Sequence, residues 1–290
     1  MIKLSLGCAQ FGMNYGFTNE RGKVDEDEVK KIIDYAIAND IKNFDTAQSY
    51  GNSEEVLGKF IKNYSGIKIT SKFSNNSNDI YVDKDINSWE MNFQNSLNKL
   101  NINKIACFLI HNSIDLKKKG KEILEEWLIS LIKRKLINRL GISIYSISDL
   151  NSICLDNYGL IQTPISLYDQ RLVNNKTFEK ITKKNISIFA RSIFFQGLLL
   201  VNSKKWPTSI SRQFKLHHSK FLHHLDKASR IEICLKFLKS CSFIDSSLIG
   251  ITSLDELKEV VNVNKKIKLI NESFSEYRWN LDSDLDPRLW

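Results

Sequence analysis

Three prolines in 290 residues leave few fixed breaks, and no Gly-, Ser- or Pro-rich linker divides the chain. Length alone allows two domains, but the missing linker favours one domain over 1–290. The five cysteines (Cys8, Cys107, Cys154, Cys234, Cys241) are odd in number, widely spaced and form no CxxC pair. That argues against a disulfide framework or a thiolate zinc site and for a reducing compartment. No apolar run is long enough to span a bilayer. The most apolar one, "ISIFARSIFFQGLLLV", is interrupted by Arg191 and Gln196. "SLGC" before Cys8 resembles a lipoprotein cleavage site, but the apolar stretch ahead of it is too short for a signal peptide. The expectation is a cytoplasmic protein with no membrane association. Neither GxGxxG nor GxxxxGK[ST] occurs, so the two common phosphate-cradling loops are absent.

Lys and Arg outnumber Asp and Glu by 42 to 33, a formal charge of +9. A nucleic-acid binder has such a balance. Here the lysines are spread along helical stretches (Lys30, Lys31, Lys117 to Lys119, Lys183, Lys184, Lys265, Lys266) and read as solvated faces, with no nucleic-acid partner.

Short apolar runs alternate with amphipathic stretches. The runs are "KLSLGCA", "IKNFDTA", "IKITSKF", "IACFLIH", "INRLGISI", "LIQTPIS", "ISIFARSI" and "SSLIGI". Helical patterns cover 25–39, 53–62, 88–100, 118–135, 146–155, 174–184, 229–241 and 253–264. Eight alternations predict an α/β (β/α)8 TIM barrel, with a doubly wound open sheet as the alternative. Two insertions follow strands: the polar segment 74–87 and a long basic loop at 197–228. In a barrel both lie at the catalytic face. A tail at 271–290 carries Tyr277, Trp279 and Trp290.

Polar residues gather at the strand ends. Asp45 ends the second run, Tyr50 lies in the loop after it, Lys72 ends the third and His111 the fourth. Neighbouring strands would bring these four to one corner of a barrel mouth. A phenol titrates near pH 10 and is a poor acid or base at neutral pH. An ammonium beside it favours the phenolate, so Lys72 is expected to lower the pKa of Tyr50 while Asp45 pairs with Lys72. His111 can align a substrate oxygen. Singly, each has an ordinary role open to it: Asp45 at a turn, Lys72 on the surface, His111 in the core.

With "LGCAQFGMNYG", "FDTAQSYGNSEEVLG", "SKF", "FLIH", "RLGISIY", "ARSIFFQGLLL" and "IGITSLDEL", nearly the whole chain resembles the aldo-keto reductases. "AQFGMNYG", "LYDQR" and "SIFFQGLL" are most similar to a bacterial branch found near polysaccharide and surface-glycan genes. The resemblance implies a barrel that binds NADPH or NADH and transfers hydride between nicotinamide and a carbonyl or alcohol, with a sugar or sugar derivative among the substrates open to it. It carries the catalytic roles to Asp45, Tyr50, Lys72 and His111. It carries carboxamide contacts to Ser143 and Gln162, although Ile144 stands where the family often has Asn. Arg191 occupies the position of an aromatic residue that stacks on the nicotinamide; stacking or pairing with an acid are both open to it. Gly250, Thr252 and Ser253 near a helix start are expected phosphate ligands. Glu256 aligns with an Arg that holds the 2′-phosphate in NADPH-preferring members, so it argues against strong NADPH preference. The alternative is a lysine elsewhere holding that phosphate.

"HHSKFLHH" lacks the Cys or carboxylates that would complete a zinc site. The lysines and arginines of the same segment (Lys204, Lys205, Arg212, Lys215, Lys220) suit an anionic substrate or the cofactor pyrophosphate. The alternative function is a non-catalytic cofactor-sensing subunit on the same barrel. The expected partner is a small carbonyl or alcohol, and the expected state a monomer or weak homo-oligomer.

Overall fold

The eight apolar runs become strands because they are buried on both faces, which a parallel barrel requires. The computed structural model describes residues 1–74, 78–151, 153–173, 175–268 and 272–290. The strands are β1 Leu4–Gly7, β2 Asn43–Asp45, β3 Lys68–Phe73, β4 Ile105–Ile110, β5 Ile137–Ser143, β6 Tyr158–Pro164, β7 Ser187–Arg191 and β8 Ser246–Gly250. They close in chain order into an all-parallel barrel, β8 pairing with β1. The (β/α)8 expectation holds, and the open-sheet alternative is excluded. Register sets the height of each strand end: Gly7 faces Asp45 on one side and Gly250 on the other, and Ser143 faces Gln162.

The helices are α1 Ala9–Gly12, α2 Glu26–Ala38, α3 Ser53–Ile61, α4 Asp85–Leu100, α5 Lys121–Lys133, α6 Lys176–Thr182, α7 Arg212–Leu222, α8 Lys227–Ser240, α9 Leu254–Lys266 and α10 Asp282–Leu285. Helix α2 shows why they dock. Val29, Ile32, Ile33 and Ala36 recur at helical spacing, and all four are buried. Cys107, Leu109, Leu160, Phe189 and Leu248 form a separate cluster contributed by β4, β6, β7 and β8. The larger core lies between strands and helices, with Phe73, Trp89, Phe93, Phe108 and Trp127 in edge-to-face and tilted contact. Among the described residues no helix is long and apolar enough to cross a membrane.

Two expectations are corrected. The stretch 146–155 is not an α-helix. It holds 3-10 turns at Ile147–Leu150 and Leu155–Asn157, the first closed by a capping box of Ser146 and Asp149. Ser, Asp and Asn crowd this connection, and their side chains compete for backbone groups a helix needs. The segment 197–228 is not one long loop. It contains 3-10 turns and α7, whose N-cap Ser211 accepts a hydrogen bond from Phe214 N. Residues 75–77 of the polar insertion, 152 and 174 of two helical patterns, and 269–271 at the start of the tail lie outside the described residues.

The tail folds back across α7. Trp279 N donates to Tyr168 O, and the Trp279 indole stacks on Phe214 at 4.7 Å. Asp284 accepts from Ser211 N, Ser211 Oγ and Trp279 Nε1 at 2.6–2.9 Å.

Candidate active site

Asp45 and Lys72 are buried at the ends of adjacent strands and form an ion pair. Lys72 Nζ also donates to Thr46 O at 2.8 Å. The other Asp45 oxygen accepts from Gln162 Nε2 at 2.7 Å, across the barrel from β6. Gln162 is thus a member of the acid–lysine network, and its carbonyl oxygen is left for other partners.

Tyr50 is brought over this network by a turn that two glycines make possible. A Cβ on Gly12 would stand 2.0 Å from Tyr50 O. One on Gly51, whose φ is +56°, would stand 2.3 Å from Gly12 O. Only bare backbone lets the loops after β1 and β2 touch here. Lys72 Nζ lies 4.9 Å from the Tyr50 ring centroid, and the His111 ring meets Tyr50 edge-on at 5.5 Å. Ser49 Oγ lies 3.3 Å from His111 Nδ1. The four residues expected to converge do so.

Their electrostatics differ from expectation. Burial first, then repulsion from the Asp45 carboxylate, holds the Tyr50 phenol well above its ordinary pKa, with Arg191 opposing. The expected acidification by Lys72 is corrected, because that ammonium is matched by Asp45 and sits against the ring face. Burial, then Lys72 and Arg191, pushes His111 down to about 3, so its imidazole is neutral at neutral pH. The site therefore presents a protonated phenol and a neutral imidazole.

A cavity open to solvent at its mouth runs from Asp45 and Tyr50 to the N-terminal end of α9. Gln162, Arg191, Gly250, Thr252 and Glu256 line it; Ser143 and Ser253 do not. Ser143 is buried in the barrel wall, and Ser253 is the N-cap of α9, accepting from Glu256 N at 3.3 Å. Ile144 N donates to Gln162 O, and Ile144 O accepts from Arg191 Nη2 at 3.1 Å. Arg191 pairs with no acid among the described residues. Its guanidinium lies 4.1 Å from the Tyr145 ring centroid, so a ring stack exists, with a tyrosine of the protein itself.

Glu256 Oε2 accepts from Thr252 N and Thr252 Oγ1, both at 2.8 Å. Glu28, on α2, accepts from Leu254 N at 2.7 Å. This bond is the main cause of its lowered pKa. Nothing in the sequence marked Glu28, because its partner is 226 residues away. Lys227, on the cavity wall, pairs with Glu259 at 2.8 Å.

Three of the four histidines of "HHSKFLHH" are bonded within the fold. His218 lies between Tyr168 Oη and Val201 O, both at 2.9 Å. His217 meets Tyr277 O, and His223 meets Asn202 Nδ2. Lys204, Lys205, Arg212, Lys215 and Lys220 do not line the cavity, and Lys205 pairs with Glu20. Trp206 packs against Phe214, and Trp290 against Phe17 and Phe195.

The family model described as the Aldo/keto reductase family matches residues 3–278. A Schizosaccharomyces pombe protein, provisionally named an aryl-alcohol dehydrogenase, is 43% identical over 76 residues. That match covers 24% of this chain and 21% of the relative, so the chain matches about a fifth of that protein's length. The holo form of an aldo-keto reductase from Bacillus halodurans superposes with a TM-score of 0.72 at 19% identity, covering 95% of this chain and 90% of the other. A protein of Pseudomonas aeruginosa, provisionally named an aldo-keto reductase, gives 0.63 at 17% identity over 90% and 89% of the two chains. At such identities the structural likenesses speak to the fold.

Proposed function

The chain belongs to the aldo/keto reductase family, and on that footing we propose that it is an NAD(P)H-dependent oxidoreductase interconverting a carbonyl and an alcohol. The observation that carries the reading is Tyr50, a protonated phenol beside a neutral His111 and the buried Asp45–Lys72 pair, opening on one long cavity. The cavity's lining, from Asp45 and Tyr50 at one end to Thr252 and Glu256 at the other, suits a dinucleotide. When bound there, a reduced nicotinamide supplies the hydride.

Catalytic roles are proposed for Asp45, Tyr50, Lys72 and His111. Tyr50 gives its proton to the oxygen that gains charge at the carbonyl. His111 orients that oxygen with an N–H. Lys72 fixes the Tyr50 ring from its face, and Asp45 and Thr46 O hold Lys72 in place. Gln162 is proposed to meet the carboxamide with its free carbonyl oxygen, and Arg191 to flank the ring. Ser143 and Ser253, off the cavity wall, act through the strands and helix they secure. Gly250 and Thr252 are the proposed phosphate contacts.

We further propose NADH as the preferred cofactor. Glu28 and Glu256 already place two carboxylates at the end of α9, where a 2′-phosphate would be repelled. The nearby Lys227 is matched by Glu259. A sugar-like substrate, a place in surface-glycan synthesis, a cytoplasmic location, one domain over 1–290 and a monomer or weak homo-oligomer complete the proposal. Tyr15, Phe17 and Tyr145 beside the mouth supply the aromatic walls a sugar ring favours.

The test is a fluorescence titration with NADH and with NADPH, on the wild type and on Tyr50→Phe, followed by turnover of carbonyl compounds. The expected result is dinucleotide binding retained in the variant and kcat reduced by roughly 10²–10⁴-fold. No binding of either nucleotide would remove the hydride-transfer reading. Binding without turnover would favour a cofactor-sensing subunit.

A further inference from the structure

This inference rests on the oxidoreductase reading and adds a substrate class to it. Among the described cations of 197–228 only Lys227 lines the cavity, and it is paired with Glu259; two other cations stand at the cavity mouth. Arg191, at the end of β7, lines the main cavity. Arg288 lines an adjoining hollow with Tyr15, Phe17, Tyr145 and Gln196. Tyr15 and Gln196 belong to both spaces.

Both guanidiniums lie on one ring. The Tyr145 centroid is 4.1 Å from Arg191 and 3.8 Å from Arg288. Two guanidiniums have no room on one face at those distances, so the ring is held between them. Like charges are costly to gather unless something neutralises them. Asp286 does so for Arg288, meeting Nε at 2.8 Å and Nη2 at 2.5 Å. Nothing does so for Arg191. Its Nη2 has only the Ile144 carbonyl, and its Nε is buried without a partner. The acids of the cavity are committed elsewhere: Asp45 to Lys72 and Gln162, Glu259 to Lys227, and Glu256 to Thr252. Arg191 is thus the cation of this end left without an acidic partner among the described residues, while Lys72 is paired with Asp45, and Asp286 and Asp149 both face Arg288.

We propose that Arg191 and Arg288, stacked on either face of Tyr145, form an oxyanion-recognising subsite, so that the carbonyl compound reduced here carries a carboxylate or phosphate group. The anion takes no part in the chemistry. Hydride adds to the carbonyl carbon, the carbonyl oxygen takes the Tyr50 proton, and the charged group stays bonded to the same carbon skeleton throughout. Its work is to orient the carbonyl towards Tyr50 and His111, which a bidentate guanidinium contact does well.

The test uses matched substrates on the whole protein with NADH: 4-carboxybenzaldehyde against 4-methylbenzaldehyde, and glyceraldehyde 3-phosphate against glyceraldehyde. The expected wild-type kcat/KM favours the charged member of at least one pair by roughly tenfold or more, and added salt reduces the preference. Which pair shows it tells carboxylate from phosphate. Arg288→Gln and Arg191→Gln are each expected to lower the charged-to-neutral ratio by roughly tenfold, with Arg288→Lys restoring part of it. Two variants guard against one that fails to fold. A wild-type ratio near one in both pairs, or a ratio neither variant moves, overturns the proposal. So does an Arg191→Gln that slows both members equally and leaves the charged-to-neutral ratio unmoved, which would make Arg191 a contact of the cofactor alone. If the wild type binds dinucleotide but reduces none of the four, the oxidoreductase reading fails on its own. Calorimetric affinities for the same pairs then decide the subsite by the same ratio.

Discussion

Tyr50 keeps its proton to higher pH than a free tyrosine, because burial and the Asp45 carboxylate both disfavour the phenolate. The acid form is the one that reduction needs, and the base form the one that oxidation needs. The reduction rate is therefore expected to stay level from about pH 6 to about pH 9, while the oxidation rate climbs across that range. His111, lowered to about 3, contributes no step between those limits. An acidic limb near pH 6.5 in the reduction profile, removed by His111→Gln, would show that His111 titrates in the working enzyme. At the far end of the cavity Glu256 holds Thr252 through two bonds to one oxygen, and Glu28 covers Leu254 N. Glu256→Arg is expected to move the ratio of dinucleotide affinities towards NADPH by about tenfold. Adding Glu28→Gln moves it further, since the second carboxylate is then removed too. An unchanged ratio in both variants would place the 2′-position away from α9.

Helix α7 exists because the segment after β7 finds partners beyond its own sequence. Its N-cap hydroxyl and backbone are held by Asp284, which also takes the Trp279 indole. Asp284→Ala leaves three part-buried donors without their acceptor and is expected to cost roughly 1–2 kcal/mol in urea unfolding. The Trp279 emission is expected to shift as its N–H loses its partner; an unaltered midpoint and spectrum would mean that α7 docks without the tail. This dependence explains what the sequence hid. The basic, histidine-rich 197–228 looks like a loop because Asp284 and Trp279, which hold the start of α7, come from the far end of the chain. Strands such as Ile105–Ile110 were legible, since near-complete burial writes itself as an unbroken apolar run. The stretch 146–155 carried an apolar spacing close to a helix, yet Ser146 and Asp149 close a tighter turn. Asp45, Tyr50, Lys72 and His111 were legible from their places at successive strand ends. Glu28, Gly12 and the stacked Arg288 were not, because each acts by meeting a residue far along the chain. The pairing of Asp45 with Lys72 was legible, but the depth of burial of the phenol was not, and burial outweighs the ammonium beside it.

Across the whole molecule, buried histidines tie stability to pH. His218 is fully buried, with both ring nitrogens engaged. Val201 O can only accept, so Nε2 carries the proton and Nδ1 accepts from Tyr168 Oη. Protonating Nδ1 would reverse that bond, leave the Tyr168 hydroxyl to find another acceptor and place a charge in a fully buried ring. Burial accordingly lowers His218 to about 4 and His111 to about 3. Unfolded, both would titrate near 6.5. Between those limits the unfolded chain binds about two protons that the folded chain does not, so stability rises with pH there. The contribution is complete above about pH 6.5 and is lost as pH falls towards 4, at up to about 1.4 kcal/mol per pH unit for each histidine. Glu54 opposes this in part, because burial raises its pKa and lets the folded chain take a proton first. Thermal unfolding is therefore expected to show a Tm lower at pH 5 than at pH 7.5. His218→Gln can still donate to Val201 O, and it removes one titrating group. Its Tm is expected to be lower at pH 7.5 but to fall less steeply on acidification, so that the two curves approach each other near pH 5. Parallel curves would sink the assignment of His218, and a wild-type Tm no lower at pH 5 would sink the role of both histidines.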